Sequence, residues 1–232
     1  MGCTAIVVLS GGQDSTTCLY WALRQFGGCD AVQALTFDYG QRHRMEIEAA
    51  RTIARLAGVA HMVLPLTAFA ALGGNALTGQ GEVEGCGDGV PEGLPATFVP
   101  GRNLVFLTLA AARAYQLGVH DLVTGVSQTD YSGYPDCRRK TIDSLEQTLC
   151  LGMEYPLTIH TPLMHMSKAE TVLLARELGG FAPLAWTHTC YNGVFPPCGD
   201  CAACRLRAAG FEQSGYRDPL LQRAQEGGGE GG

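Results

Sequence analysis

Two groups of residues in this chain carry chemistry in their types and spacing. The first is Ser10-Gly11-Gly12-Gln13-Asp14-Ser15, which follows an apolar stretch at 4–9 and precedes a helix-like segment. A glycine-rich strand-to-helix turn gathers backbone N–H groups and a helix N-terminus at one point, which suits an anion and above all phosphate. Gly11 and Gly12 permit an approach that a Cβ would block. Ser10 and Ser15 add hydroxyl donors, and Ser15 is placed to cap the helix that comes next. Asp14 needs a separate reason, because a carboxylate repels phosphate unless a cation intervenes, and Mg²⁺ is such a cation. The chain contains no Gly-Lys pair, which excludes a Walker A loop, and no GxGxxG follows the first strand.

The second group is Cys190, Cys198, Cys201 and Cys204, spaced C-x7-C-x2-C-x2-C. Four thiolates this close can close a tetrahedral shell around zinc, and Gly199 permits the tight turn between them. An iron–sulfur cluster and a redox CxxC pair are the rival readings. A second ferredoxin-like cysteine set and a trailing Cys-Pro are both missing. A closed shell implies a structural metal that holds an otherwise coreless segment. Of the remaining cysteines, Cys3, Cys18, Cys29, Cys86 and Cys150 read as small packed or partly exposed thiols, and Cys137 lies in a polar stretch.

The elements that must position these groups are set by hydrophobic periodicity. Strands are expected at 4–9, 32–37, 62–66, 121–126 and 157–161. Helices are expected at 15–26, 45–57, 103–117, 138–152 and 167–178, the last opening on a capping box, Ser167 to Glu170. Strands alternating with helices imply an α/β fold, a parallel sheet with helices on both faces, and ligands beyond the carboxyl ends of its strands. Residues 73–100 are rich in Gly and Pro, with the length of a lid. The reading gives a nucleotide-binding domain at 1–185, a zinc-binding segment at 186–216 and a flexible tail at 217–232. The GxGxxG letters at 227–232 follow no strand and carry no site.

Composition bounds the partners. The 232 residues are 46% hydrophobic and 16% charged, enough apolar material for one sizeable core, and the net charge of −6 disfavours general nucleic-acid binding. No stretch is apolar and long enough to span a bilayer, and the first arginine is Arg24, too late for the basic start of a signal peptide. A cytoplasmic protein is expected, which is why the ten cysteines call for metal rather than disulfides.

Four further stretches sit at expected strand ends: Phe37-Asp38-Tyr39-Gly40-Gln41-Arg42-His43, Phe98-Val99-Pro100-Gly101-Arg102-Asn103, Asp130-Tyr131-Ser132-Gly133-Tyr134-Pro135-Asp136-Cys137-Arg138, and Thr161-Pro162-Leu163 with Lys168. Any one of them reads as a surface loop. Successive placement at the ends of a parallel sheet points to a binding site.

Ser10–Ser15 carries the SGGxDS signature and so resembles the PP-loop ATP pyrophosphatases, which split ATP to AMP and pyrophosphate while adenylating an oxygen. With the strand-end stretches and the cysteine cluster, the chain resembles the 7-cyano-7-deazaguanine (preQ0) synthase family of queuosine biosynthesis from about Thr4 to Phe211. The resemblance implies an ATP-dependent ligase acting on 7-carboxy-7-deazaguanine and ammonia, through adenylated carboxylate and amide intermediates. It also implies structural zinc, Mg²⁺ with ATP, a homodimer, and no nucleic-acid or membrane partner. Carried onto this sequence, it sets Val8, Leu9, Ser10, Gly11, Gly12, Gln13, Asp14, Ser15, Thr16, Thr17, Cys18, Phe37 and Tyr39 against ATP. Asp14, Lys168 and Arg102 become the catalytic charges. Tyr131, Tyr134, Asp136 and Cys137 become the substrate pocket, with Cys137 as a wall, and Asp136 accepting from the amino group of the base. Arg139-Lys140-Thr141 departs from the family, which often has an acidic residue and Phe there. The rival readings are a tRNA thiolase or tRNA-modifying ligase, and a zinc-stabilised nucleotide-binding relative without synthase activity.

Overall fold

Side chains on a strand alternate between faces, so each strand here divides its residues between two cores. The computed structural model describes residues 2–41, 44–69, 97–129 and 133–227. Within them, β1 (Ala5–Val8), β2 (Val32–Asp38), β3 (Ala60–Pro65), β4 (Asp121–Val123) and β5 (Thr158–His160) form one sheet. Its order is β3-β2-β1-β4-β5 and every pairing is parallel, with Ala5 in register with both Val32 and Asp121.

The helices are α1 (Gln13–Phe26), α2 (Met45–Ala57), α3 (Arg102–Leu117), α4 (Arg139–Met153), α5 (Lys168–Glu177), α6 (Ala202–Ser214) and α7 (Pro219–Gly227). Ile6, Leu35 and Leu122 point to one face, against Leu107 and Ala111 of α3 and Ile142 of α4. Their neighbours Val7, Ala34 and Val123 point to the other, against Leu19 of α1 and Ile53 of α2. These strands are buried on both faces, which makes a three-layer α/β fold with helices on both sides of the sheet. The expected α/β class and element order therefore stand.

β4 and β5 stop earlier than the bounds expected for them, at Val123 and His160. After Val123 the chain leaves the sheet, keeping only Thr124 N–H to the His160 carbonyl at 3.0 Å, and turns to build the wall of a cavity. The segment expected to be a flexible tail from 217 instead carries α7, with Leu220 buried. Its anchor is a buried ion pair. Arg207 of α6 donates Nε to Asp218 Oδ2 at 2.6 Å and Nη2 to Asp218 Oδ1 at 2.8 Å, and its Nη1 donates to Thr187 Oγ1 at 2.7 Å. Such a bidentate pair is stable in a desolvated site because every polar atom is matched. The lid expected at 73–100 lies, up to residue 96, outside the described residues.

Candidate active site

The connection after β1 runs to β2 on one side, while β4 joins β1 on the other. Loops therefore diverge beyond the carboxyl ends of β1 and β4, the position where open α/β sheets bind ligands. A cavity of about 310 Å³ lies there. Its walls include Ser10, Gly12–Ser15, Phe37, Tyr39, Arg102, Tyr134 and Lys168.

The glycine-rich loop is locked from three sides. Gly11 has φ +87°, and a Cβ there would stand 2.2 Å from the Glu46 carbonyl oxygen, so the loop is pressed on α2. A Cβ on Gly125, in the β4 loop, would meet Ser15 N at 3.0 Å. The third lock is His188, whose N–H donates to the Gly11 carbonyl at 2.9 Å. Gly12 caps α1 without a side-chain hydrogen bond, so the first N–H groups of the helix stay turned to the cavity. Ser15 does not cap the helix as expected. Its Oγ donates to the Gly12 carbonyl at 3.1 Å and accepts from Ser10 N–H at 3.2 Å, which fixes the loop. Thr16 and Thr17 bond the Gly12 and Gln13 carbonyls, and Cys18 Sγ bonds the Thr124 carbonyl. These three, with Gly11, support the loop from behind without lining the cavity.

Several polar atoms here are buried without a partner among the described residues: Gln13 Nε2, Asp14 Oδ1 and Thr189 Oγ1. All three residues line the cavity. Native interiors seldom leave such groups unpaired except where a ligand completes them.

Lys168 reaches the loop because α5 begins there. The capping box forms as expected, with Ser167 Oγ accepting from Glu170 N–H and Ser167 N–H donating to Glu170 Oε2 at 2.7 Å. That fixes Lys168 in the first turn, and Nζ lies 2.5 Å from Asp14 Oδ2. Gly210 of α6 contributes too, since a Cβ there would stand 2.7 Å from Lys168 Cβ. One Asp14 oxygen thus meets an ammonium while the other has no partner, which leaves an oxygen ligand for a hard cation.

The opposite wall is aromatic. Phe37 stacks on Phe106 at 4.4 Å between ring centroids, and Arg102 Nη1 donates to Tyr39 Oη at 3.4 Å. Burial works against the charge of Arg102, yet Tyr39, Tyr134, Glu46 and Asp136 around it more than offset that and hold it cationic. Tyr134 bonds Thr97 through its hydroxyl at 2.6 Å, and Cys137 Sγ accepts from Asn103 Nδ2 at 3.3 Å. Asp136 does not line the cavity. It is buried and accepts the Asn103 N–H at 3.2 Å, serving the first turn of α3. Tyr131 lies outside the described residues. Arg139 bonds Thr161 Oγ1 and pairs with Asp143, and none of Arg139, Lys140 and Thr141 lines the cavity.

Sequence reasoning missed Glu46, Phe106, Thr189 and Tyr191 and gave Asn103 no role of its own, and all five lie on the cavity wall. Glu46 is the most telling. Burial pushes its carboxyl up to about 7, against the pull of Arg102, and among the described residues it has no hydrogen bond. A carboxylate within the first turn of α2, just after a charged loop, reads in sequence as a solvated helix end.

Cys190, Cys198, Cys201 and Cys204 converge, their sulfur atoms all within 4.8 Å of one another. A tetrahedral shell with metal–sulfur bonds of about 2.3 Å would set them ~3.8 Å apart, and Cys198 and Cys204 stand at 3.9 Å. The Cys201 N–H pulls the Cys198 thiol down to about 6, while burial and the neighbouring thiols push Cys204 up. A cation would resolve that conflict by taking all four as thiolates. Cys201 caps α6, and the segment from His188 to Cys190 runs directly onto the phosphate loop, so the cluster and the cavity share a wall.

Residues 4–215 match the family model for queuosine biosynthesis protein QueC. A 7-cyano-7-deazaguanine synthase of Chromobacterium violaceum is 62% identical over 95% of this chain and 94% of its own length. One from Laribacter hongkongensis is 60% identical over 94% of each. Among solved structures, an NMN synthetase of Francisella tularensis aligns with TM-score 0.50 at 12% identity, over 96% of this chain and 82% of that one. The U34-tRNA thiolase NcsA of Methanococcus maripaludis aligns with TM-score 0.50 at 15% identity, over 97% of this chain and 72% of that one. The structural likenesses show the fold alone; the sequence matches go further, and the chain belongs to the queuosine biosynthesis protein QueC family.

Proposed function

We propose that this chain converts 7-carboxy-7-deazaguanine and ammonia to 7-cyano-7-deazaguanine, spending ATP to AMP and pyrophosphate. The observation that carries the reading is the set of unpartnered cavity atoms, Gln13 Nε2 and Asp14 Oδ1 on the glycine-rich loop, beside the Lys168 ammonium. A carboxylate does not react with ammonia, because the leaving group would be hydroxide. Adenylation solves this. The substrate carboxylate attacks the α-phosphate, and pyrophosphate departs into the loop at Ser10–Ser15. Ammonia displaces AMP to give the amide. The amide oxygen is adenylated by a second ATP, and loss of AMP leaves the nitrile.

Lys168 and Arg102 stabilise charge that builds on the phosphates, and Asp14 Oδ1 would hold Mg²⁺, which supplies further charge neutralisation when bound. Phe37 and Tyr39 shape the adenine site, and Tyr134 and Cys137 wall the deazaguanine. Asp136 acts one step back, through Asn103. The four cysteines hold structural zinc. A cavity of about 310 Å³ is of the size that takes a small molecule. The family resemblance supports a cytoplasmic homodimer.

Pyrophosphate release is the test. Release by the purified protein should require 7-carboxy-7-deazaguanine, and nitrile should appear only when ammonium is added. Release stimulated by tRNA alone, with no response to the small molecule, would sink this reading in favour of a tRNA-modifying ligase.

A further inference from the structure

The nitrogen in this reaction arrives as ammonium and leaves as a nitrile, so it must shed every proton it carries. The backbone N–H groups of the phosphate loop, Lys168 and Arg102 cannot accept one: they are amide donors and cations. A carboxylate in the same cavity can. Glu46 lines the cavity from the first turn of α2, and its own carbonyl packs on Gly11, which places it next to the phosphate loop. Asp14 meets Lys168 with one oxygen and is assigned to Mg²⁺ with the other, and Asp136 accepts the Asn103 N–H. Of the two carboxylates that line the cavity, Asp14 and Glu46, only Glu46 has neither oxygen in a hydrogen bond among the described residues.

We propose that Glu46 is the general base of the nitrogen chemistry, drawing ammonium into the cavity and taking protons from the nitrogen as first the amide and then the nitrile forms. The inference rests on the proposed synthase activity. In the first half, ammonia attacks the adenylated carbonyl carbon and the C–N bond forms. The C–O bond to AMP breaks with its electron pair going to AMP, and the proton shed by nitrogen goes to Glu46. In the second half, the adenylated amide gives up its N–H protons as the C≡N bond forms and the second AMP leaves. Glu46 returns each proton to solvent through the cavity mouth. No carbon changes oxidation state, so no redox partner is needed.

The electrostatics suit the task. Arg102 is the cation facing Glu46, and Tyr39 is the neutral titratable group beside it, with Tyr134 and Asp136 beyond Arg102. Asp14, Lys168, Cys137, His188, Tyr191 and Arg207 share the cavity, while Arg44, which caps α2, and Glu48 on it line a separate depression. Burial raises the Glu46 carboxyl to about 7, where a base exchanges protons most effectively near neutral pH.

The experiment separates the two halves of the chemistry. ATP–pyrophosphate exchange dependent on 7-carboxy-7-deazaguanine reports adenylation, before nitrogen enters. Amide and nitrile formation report the nitrogen-transfer and dehydration steps. Glu46→Gln is expected to lose nitrile formation about 100-fold while exchange falls far less, and Glu46→Asp should recover part of the loss. In the wild type, at fixed free-ammonia concentration, the nitrile rate should rise with pH through about 7, and Glu46→Gln should abolish that limb. Equal loss of both reactions, or a wild-type rate flat across that range, overturns the assignment. Absence of exchange in the wild type would instead defeat the synthase reading itself. Folding is checked by melting. A raised folded-state pKa means that protonated Glu46 stabilises the fold at low pH, and that this stability is lost as pH rises through about 7. The Tm of Glu46→Gln should therefore exceed that of the wild type above pH 7, by a margin that shrinks toward pH 5.

Discussion

Replacing Lys168 by alanine is expected to slow substrate-dependent pyrophosphate release by about 10³-fold, mainly in kcat, with the fold retained. The ammonium stands 2.5 Å from Asp14 Oδ2 in a partly buried site, where electrostatic interactions are stronger than in water. Charge builds on the pyrophosphate as it leaves, so the cation matters more in the transition state than in the bound ground state. Its removal also leaves Asp14 facing the phosphates uncompensated. Lys168→Arg should recover little. Gly210 packs against Lys168 Cβ, and the bulkier, planar guanidinium cannot reproduce a point charge at that position. Steady-state kinetics with circular dichroism as a fold check decides the matter. A loss below tenfold, or one confined to KM for ATP, would remove Lys168 from the catalytic set.

The second large effect is removal of the metal. Cys204→Ser is expected to drop bound zinc from about one ion per chain to none, lower the Tm, and reduce activity more than 100-fold. Structural zinc contributes on the order of 10 kcal/mol of apparent binding energy in small domains. Here the sheet has its own cores, so the loss should be local to the segment that the cluster holds. That segment carries His188, Thr189 and Tyr191, which line the cavity, and His188 locks Gly11. Far-UV circular dichroism should therefore keep most of its signal while the cavity wall is lost. Elemental analysis of protein purified without added metal gives the matching check: zinc is expected, and iron with visible absorbance would assign the cluster to iron–sulfur chemistry.

Much of the architecture was legible because its periodicities are clean. The strands read as short apolar runs, and α2 is expected and observed at the same bounds, Met45–Ala57. The capping box at Ser167 was readable because both of its partners are local. The features that stayed hidden depended on distant contacts. α6 buries Cys204, Arg207, Gly210 and Phe211, a set that gives no amphipathic pattern. Arg207 is buried only because Asp218 meets it, and α7 is held by the same pair. In the site, residue types with an obvious affinity for phosphate stood out. Glu46 and Asn103 did not, since their importance comes from which wall they share. Asp136 shows the reverse: its place in a polar motif suggested a ligand contact, whereas its carboxylate is used by the first turn of α3.

On the proposed function, the loop at Ser10–Ser15 serves adenylation and not transfer of the terminal phosphoryl group. Isotope transfer tests it most directly. The protein is supplied with 7-carboxy-7-deazaguanine labelled with ¹⁸O in its carboxylate, ATP and ammonium, and the phosphorus products are resolved by mass spectrometry. Adenylation of the carboxylate, then of the amide, predicts AMP as the nucleotide product, each molecule carrying one labelled oxygen, with unlabelled pyrophosphate. ADP together with labelled inorganic phosphate would contradict it.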